Sequence, residues 1–138
     1  TLINSLFKSI KGSHTNRIFA ELDPASPYPL MLRKVFVNYL KNRIESHEEH
    51  LFIEQAHGSH FLDAEAQSIG DVAYQALFEL LDKGKAAMLI KSMPNPLLAA
   101  NLIGAANEVS NLVISGEAKL DQQFVDDAFT LCWDSIKR

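Results

Sequence analysis

Apolar residues return every three or four positions along nearly the whole of this chain, and no run alternates apolar and polar as a half-buried strand does. That spacing admits helices and excludes a sheet. The expected fold is therefore all-α, with six helices. The first runs from about Thr1 to Glu21 and is weakest at Gly12 and Ser13. The segment LDPASPYP ends it and offers Asp23 and Ser26 as caps before prolines. The second carries Leu32, Val35, Phe36, Tyr39, Leu40 and Ile44 on one face. Ser46 with Glu49 three residues later predicts a capping box that opens a short third helix, which Gly58 and Ser59 stop. Asp63 is placed to cap a long fourth helix. Asn95 and Pro96 suit the start of a fifth, and Gly116 suits a left-handed stop after Ser115. Asp121 is placed to cap the last.

Length and charge narrow the function. At 138 residues the chain is expected to be one domain, residues 1–138, with enough interior to fold without a disulfide or structural metal. Its one cysteine, Cys132, rules out a disulfide framework and fits a reducing cytoplasm. A formal charge of −4 and the lack of a basic run argue against direct nucleic-acid binding. The longest apolar candidate, PLLAANLIGAANEVSNLVISG, is interrupted by Asn101, Asn107, Glu108 and Asn111, so no membrane association is expected. The chain opens on Thr1 with an apolar stripe already running at Leu2, Ile3, Leu6, Phe7 and Ile10, which predicts that residues precede it.

The stretch HEEHLFIEQAHGSHFLDAEA holds four of the five histidines. Three roles compete for it. His50, Glu54 and His57 share a helix face, but HEEH is one residue short of HExxH and no thiolate assists, so no metal is expected. Ser59 lies beside His60 without a GxSxG elbow or a strand to carry one. There is no GxGxxG and no Walker loop. Neither a catalytic residue nor a cofactor is expected, and the chain is not read as an enzyme. What remains is a deliberate helix joint that turns Phe52, His57 and Phe61 toward neighbouring helices.

The fifth helix spreads Leu97, Leu98, Leu102, Ile103, Val109, Leu112, Val113 and Ile114 over more than one face. A helix apolar on two sides must be buried on two sides. The last helix is similarly broad. A homodimer in which these two helices from each copy form a four-helix bundle accounts for both patterns. Its expected interface is Leu98, Leu102, Ala105, Val109, Leu112, Val125, Phe129 and Trp133; a purely intramolecular core is the alternative. Aromatic residues on the second to fourth helices, with polar groups facing the same interior, suit a small-molecule pocket. The expected lining is Phe36, Tyr39, Phe52, Glu54, His57, Phe61, Tyr74, Phe78, Asn107 and Asn111. Glu54 and Glu108 lack a cation at four-residue spacing, which favours a neutral or cationic ligand over an anionic one.

The segment LFIEQAHGSHFLDAEA resembles the short central helix and following turn of tetracycline-repressor-like (TetR/AcrR) transcriptional regulators. AFTLCWDSIKR resembles their aromatic-rich final helix. The stretch from LLDKGKAAMLIKSMPNP to QQFVDDAF is similar to their long helix, its loop and the last two helices. Met88 stands where many relatives have glycine. Such regulators begin with a helix-turn-helix module that nothing here matches; residues 1–21 look like the helix that follows it. The resemblance implies an effector-binding and dimerisation domain that reaches operator DNA only through a module absent from these residues. Expected partners are a second copy and a small, largely apolar effector, and the full protein is expected to be a transcription regulator, as a repressor. The alternative is a ligand-free, all-α protein–protein interaction domain.

Overall fold

In the computed structural model, which describes all 138 residues, the six helices are α1 (Leu2–Ile18), α2 (Tyr28–Glu45), α3 (His47–His57), α4 (Ala64–Ala86), α5 (Asn95–Ile114) and α6 (Gln122–Ile136). Local signals set several ends. Asp63 accepts a hydrogen bond from the Ala66 amide at 2.8 Å, and Asp121 accepts one from the Phe124 amide at 2.9 Å. Each satisfies an amide that the first helical turn leaves unpaired. The Thr1 hydroxyl caps α1 by accepting from the Asn4 amide at 3.3 Å. Gly116 follows α5 with φ of 83°, the left-handed stop its position predicts. Met88 has φ of 60°, a conformation that glycine adopts without strain.

Three expected caps do not form. Neither Asp23 nor Ser26 caps α2, whose cap residue is Pro27 without a side-chain bond; Asp23 instead accepts from the Ala25 amide at 2.9 Å. Ser46 makes no capping bond. Its hydroxyl accepts from Arg17 at 3.2 Å, while Glu49 bonds His14 at 2.9 Å. Partners from α1 have displaced the local box. Likewise α5 starts at Asn95 itself, with Pro94 as cap residue, and the Asn95 amide donates to Asp82 at 2.8 Å.

Helix α1 packs along α4, and α2 along α5. The principal core gathers Leu40, Leu81, Ile90 and Ile136 with neighbours from α2, α4, α5 and α6. A smaller one joins Phe7 of α1 to Ile53 and Ala56 of α3, Leu62, and Ala66 of α4. By length and composition α5 is apolar enough to cross a membrane, despite its asparagines. Here one face of it, Leu98, Ala99, Leu102, Ala106 and Ser110, is buried in the core, and most of the rest is not. The α4–α5 loop is tied to the end of α6 by a single antiparallel bridge, Ile90 to Lys137, the one strand-like feature in an otherwise helical fold. The Lys91 amide donates to the Ile136 carbonyl at 2.8 Å, and the Arg138 amide to the Leu89 carbonyl at 3.1 Å.

Gly84 shows how tightly the principal core closes. A Cβ there would meet the Tyr28 ring at 2.4 Å. That ring is buried and held by its hydroxyl, which donates to the Leu80 carbonyl at 2.9 Å. Gly84→Ala should gain about 1 kcal/mol of helix propensity. It should lose more, about 1–3 kcal/mol, to overpacking. The expected net result is a lower midpoint in urea. An unchanged or higher midpoint would show that Tyr28 yields freely.

Candidate functional site: an apolar cavity reached by all six helices

A cavity of about 300 Å³ lies between the helices, lined by 21 residues of which 15 are hydrophobic. Helix α2 supplies Leu32, Val35, Phe36 and Tyr39; α4 supplies Gly70, Ala73, Tyr74 and Leu77; α5 supplies Leu102, Ile103, Ala106 and Asn107. Phe129 and Cys132 of α6 complete the apolar wall, and burial pushes the Cys132 thiol up to about 11. Helix α3 contributes His50, Ile53, Glu54 and His57. Lys11 and Ile18 come from α1, and Phe19 from its end. Small residues, Gly70, Ala73 and Ala106, stand among the large ones in the lining.

The polar groups are fixed from behind. Arg43 is buried on α2. Its Nε donates to Asn107 Oδ1 at 3.0 Å and one terminal nitrogen donates to Asn111 Oδ1 at 3.0 Å; the other lies 3.3 Å from His47 Nδ1. The Tyr39 hydroxyl also donates to Asn107 Oδ1, at 2.6 Å. Burial raises the Tyr39 hydroxyl to about 12, so it stays protonated and a donor at neutral pH. His50 Nε2 lies 2.9 Å from Glu54 Oε1. Burial, with the Arg43 charge second, holds His50 below the ordinary histidine value. The neutral ring then serves as the donor to Glu54. No group of three histidine, cysteine or acidic side chains is arranged to hold a metal.

Six of the residues singled out from the sequence line this cavity: Phe36, Tyr39, Glu54, His57, Tyr74 and Asn107. Four do not. The Phe61 ring is 68% exposed, and the residue contributes its carbonyl, which accepts from the Asn4 side chain at 2.9 Å. Phe52 packs on the smaller core and Phe78 on the principal one. Asn111 stands behind the cavity, holding Arg43. The α1 contributions, Lys11 and Ile18, were missed because that helix reads as a connector. His50 was missed as a wall residue because its spacing to Glu54 spoke only of a shared face. The expectation of a neutral or cationic ligand also loses its ground: Glu54 is paired with His50 and half exposed, and Glu108 is exposed. Two arginines of α2 are also held, Arg33 by Asp126 at 2.6 Å and Arg43 by the two asparagines.

The expected dimer face also needs correction. Leu98, Leu102, Val125 and Phe129 are buried inside the protomer, and Val109 and Trp133 pack against its core. They serve the intramolecular side of these helices. Ala105 is half-buried and Leu112 exposed. The outward stripe of α5 is Leu97, Asn101, Gly104, Glu108 and Leu112, all exposed, and α6 adds Leu131, 75% exposed.

The cavity is partly open, largely apolar and carries few polar groups, and it lies within an all-α domain. The sequence profile of the tetracyclin repressor-like C-terminal domain matches residues 13–138, and the chain belongs to that family. No curated protein sequence matches it. Among solved structures, a TetR family transcription regulator from Marinobacter aquaeolei VT8 superposes with a TM-score of 0.85 at 19% identity, over 99% of this chain and 71% of that one. A protein of unknown function from Rhodococcus sp. RHA1 gives 0.87 at 13% identity, over 99% and 72%. A putative TetR family regulator from Vibrio parahaemolyticus gives 0.78 at 16% identity, over 99% and 73%.

Proposed function

We propose that residues 1–138 act as one effector-binding and dimerisation domain of a transcription regulator. The observation that carries this is the cavity, to which every helix contributes, α1 included. A ligand there touches α1 directly through Lys11, Ile18 and Phe19. It also touches α5 and α6, whose outer faces expose Leu97, Leu112 and Leu131. Those faces are read as the seam between two copies. Ligand binding that favours one placement of α1 shifts the arrangement of DNA-binding modules attached through it. The coupling is reciprocal, so operator DNA must in turn alter ligand affinity. Repression relieved by the effector is the simplest such scheme.

The test is a thermal-shift screen of small apolar compounds on the wild-type chain and on Ala73→Phe, which fills the cavity. A ligand at 100 times its Kd should add about 2.7 kcal/mol to the wild type. Ala73→Phe should fold and lose that response. A compound that stabilises both proteins equally binds elsewhere, and a library without any stabilising compound would argue for the ligand-free interaction domain.

A further inference from the structure

The cavity wall holds more positive charge than its carboxylate can match. Lys11 lines the cavity, and its ammonium makes no hydrogen bond or ion pair; only its backbone carbonyl is engaged, by Thr15. The adjacent lysine on α1, Lys8, by contrast, is paired with Glu65 at 3.1 Å. Arg43, buried behind Tyr39 and Asn107, is bonded to Asn107, Asn111 and His47 and has no carboxylate within ion-pair distance. The one acid in the lining, Glu54, is occupied by His50. Burial alone holds the Lys11 ammonium below the ordinary lysine value, with no acidic neighbour offsetting it. Asn107 adds an unspent donor. Arginine can only donate, so its bond fixes Oδ1 toward Arg43. Nδ2 is then left without a partner in the fold.

Resting on the effector reading above, we propose that the ligand is an amphiphilic monoanion, a carboxylic acid whose apolar body fills the cavity and whose carboxylate is received by Lys11. A water-sized group takes roughly 30 Å³, so the space holds about ten such groups, the scale of a medium-chain acid. One ammonium neutralises one charge, which favours a carboxylate over a dianionic phosphate ester. An apolar site without this anion leaves the Lys11 charge desolvated and unpaired, a destabilising arrangement that the ligand relieves.

The experiment compares decanoate, decyl phosphate, 1-decanol and decylammonium by calorimetric titration. The proteins are the wild-type chain, Lys11→Met and Lys11→Gln; the two variants remove the charge with little change in side-chain length. Decanoate should bind tightest to wild type and weaken about thirty-fold in both variants, the worth of one charge-assisted hydrogen bond. 1-Decanol should change less than about threefold, since it never used the charge. The unliganded Lys11→Met protein should melt higher than wild type. If none of the four binds, the amphiphilic-acid assignment is overturned, while the effector reading is decided by the wider thermal-shift screen. If one binds but decylammonium or decanol matches decanoate, or the variants keep full decanoate affinity, the effector reading stands and the anion assignment is overturned. Tighter binding of decyl phosphate would overturn the carboxylate in particular.

Discussion

Phe7→Ala is expected to lower stability by about 3–5 kcal/mol, the cost of removing a large aromatic side chain from a closed core. Phe7 is fully buried, and it packs with Ile53, Ala56, Leu62 and Ala66. A Cβ on Gly70 would lie only 3.5 Å from its ring, so α4 closes directly over it. This cluster is small, with few other residues to share the loss. Near it, Asn4 Oδ1 accepts from the Asp63 amide at 2.8 Å, and the Asn4 amide donates to the Phe61 carbonyl. His14 meets Glu49 further along the same helix. Phe7 is thus the apolar rivet of a seam between α1 and the α3–α4 joint. Differential scanning calorimetry should show the melting temperature reduced by on the order of 10 °C or more. Local loosening of α1 should appear first, as faster amide exchange across residues 2–18 than across α5. A loss below about 1 kcal/mol would show that α1 is held by its polar contacts instead.

Gly104→Arg should convert a dimer into a folded monomer. Gly104 lies on the exposed stripe of α5, and nothing in the protomer comes within 4 Å of a Cβ placed there. Within one copy the substitution is therefore harmless, and replacing a mid-helix glycine adds about 1 kcal/mol of helix stability. Against a second α5 it places a long charged side chain where backbones are expected to approach closely. Sedimentation velocity should show the wild type at dimer mass and Gly104→Arg at monomer mass, with helical circular dichroism intact. A dimer that survives the arginine, or a wild type that is monomeric at micromolar concentration, would remove α5 from the interface.

Much of the fold was legible because its signals are local. Asp63 and Asp121 cap helices that their positions announce, and the stripe of Leu32, Val35, Phe36 and Leu40 is buried as its spacing requires. Ser46 and Glu49 failed for the opposite reason. Their fate was decided by His14 and Arg17, far away in sequence. The α5 residues failed differently. A helix apolar on two sides announces two burials, but periodicity does not say which face meets its own core. Leu98 and Leu102 took the inner side, and Leu97 and Gly104 the outer. The cavity was half legible. Phe36, Tyr39 and Tyr74 mark large walls, whereas the void itself is bounded by residues from all six helices, a three-dimensional coincidence that no single stripe records. Lys11 shows the same limit: a lysine in an amphipathic helix looks solvated, and only the packed fold places it, half-buried, on the cavity wall.

The clasp between Ile90 and Lys137 bears on how the molecule is made. Ile90 is wholly buried, and the Lys91 ammonium reaches the Lys137 carbonyl at 2.8 Å across 46 residues of sequence. At a synthesis rate of roughly 5–20 residues per second, several seconds pass between the appearance of these two partners on the ribosome. During that interval α1, α3 and α4 can assemble their own cluster around Phe7, but the side of the principal core that Ile136 and Phe129 cover stays open to water. Until Ile136 is made and released, the principal core keeps an unclosed apolar face, open to chaperones and proteases.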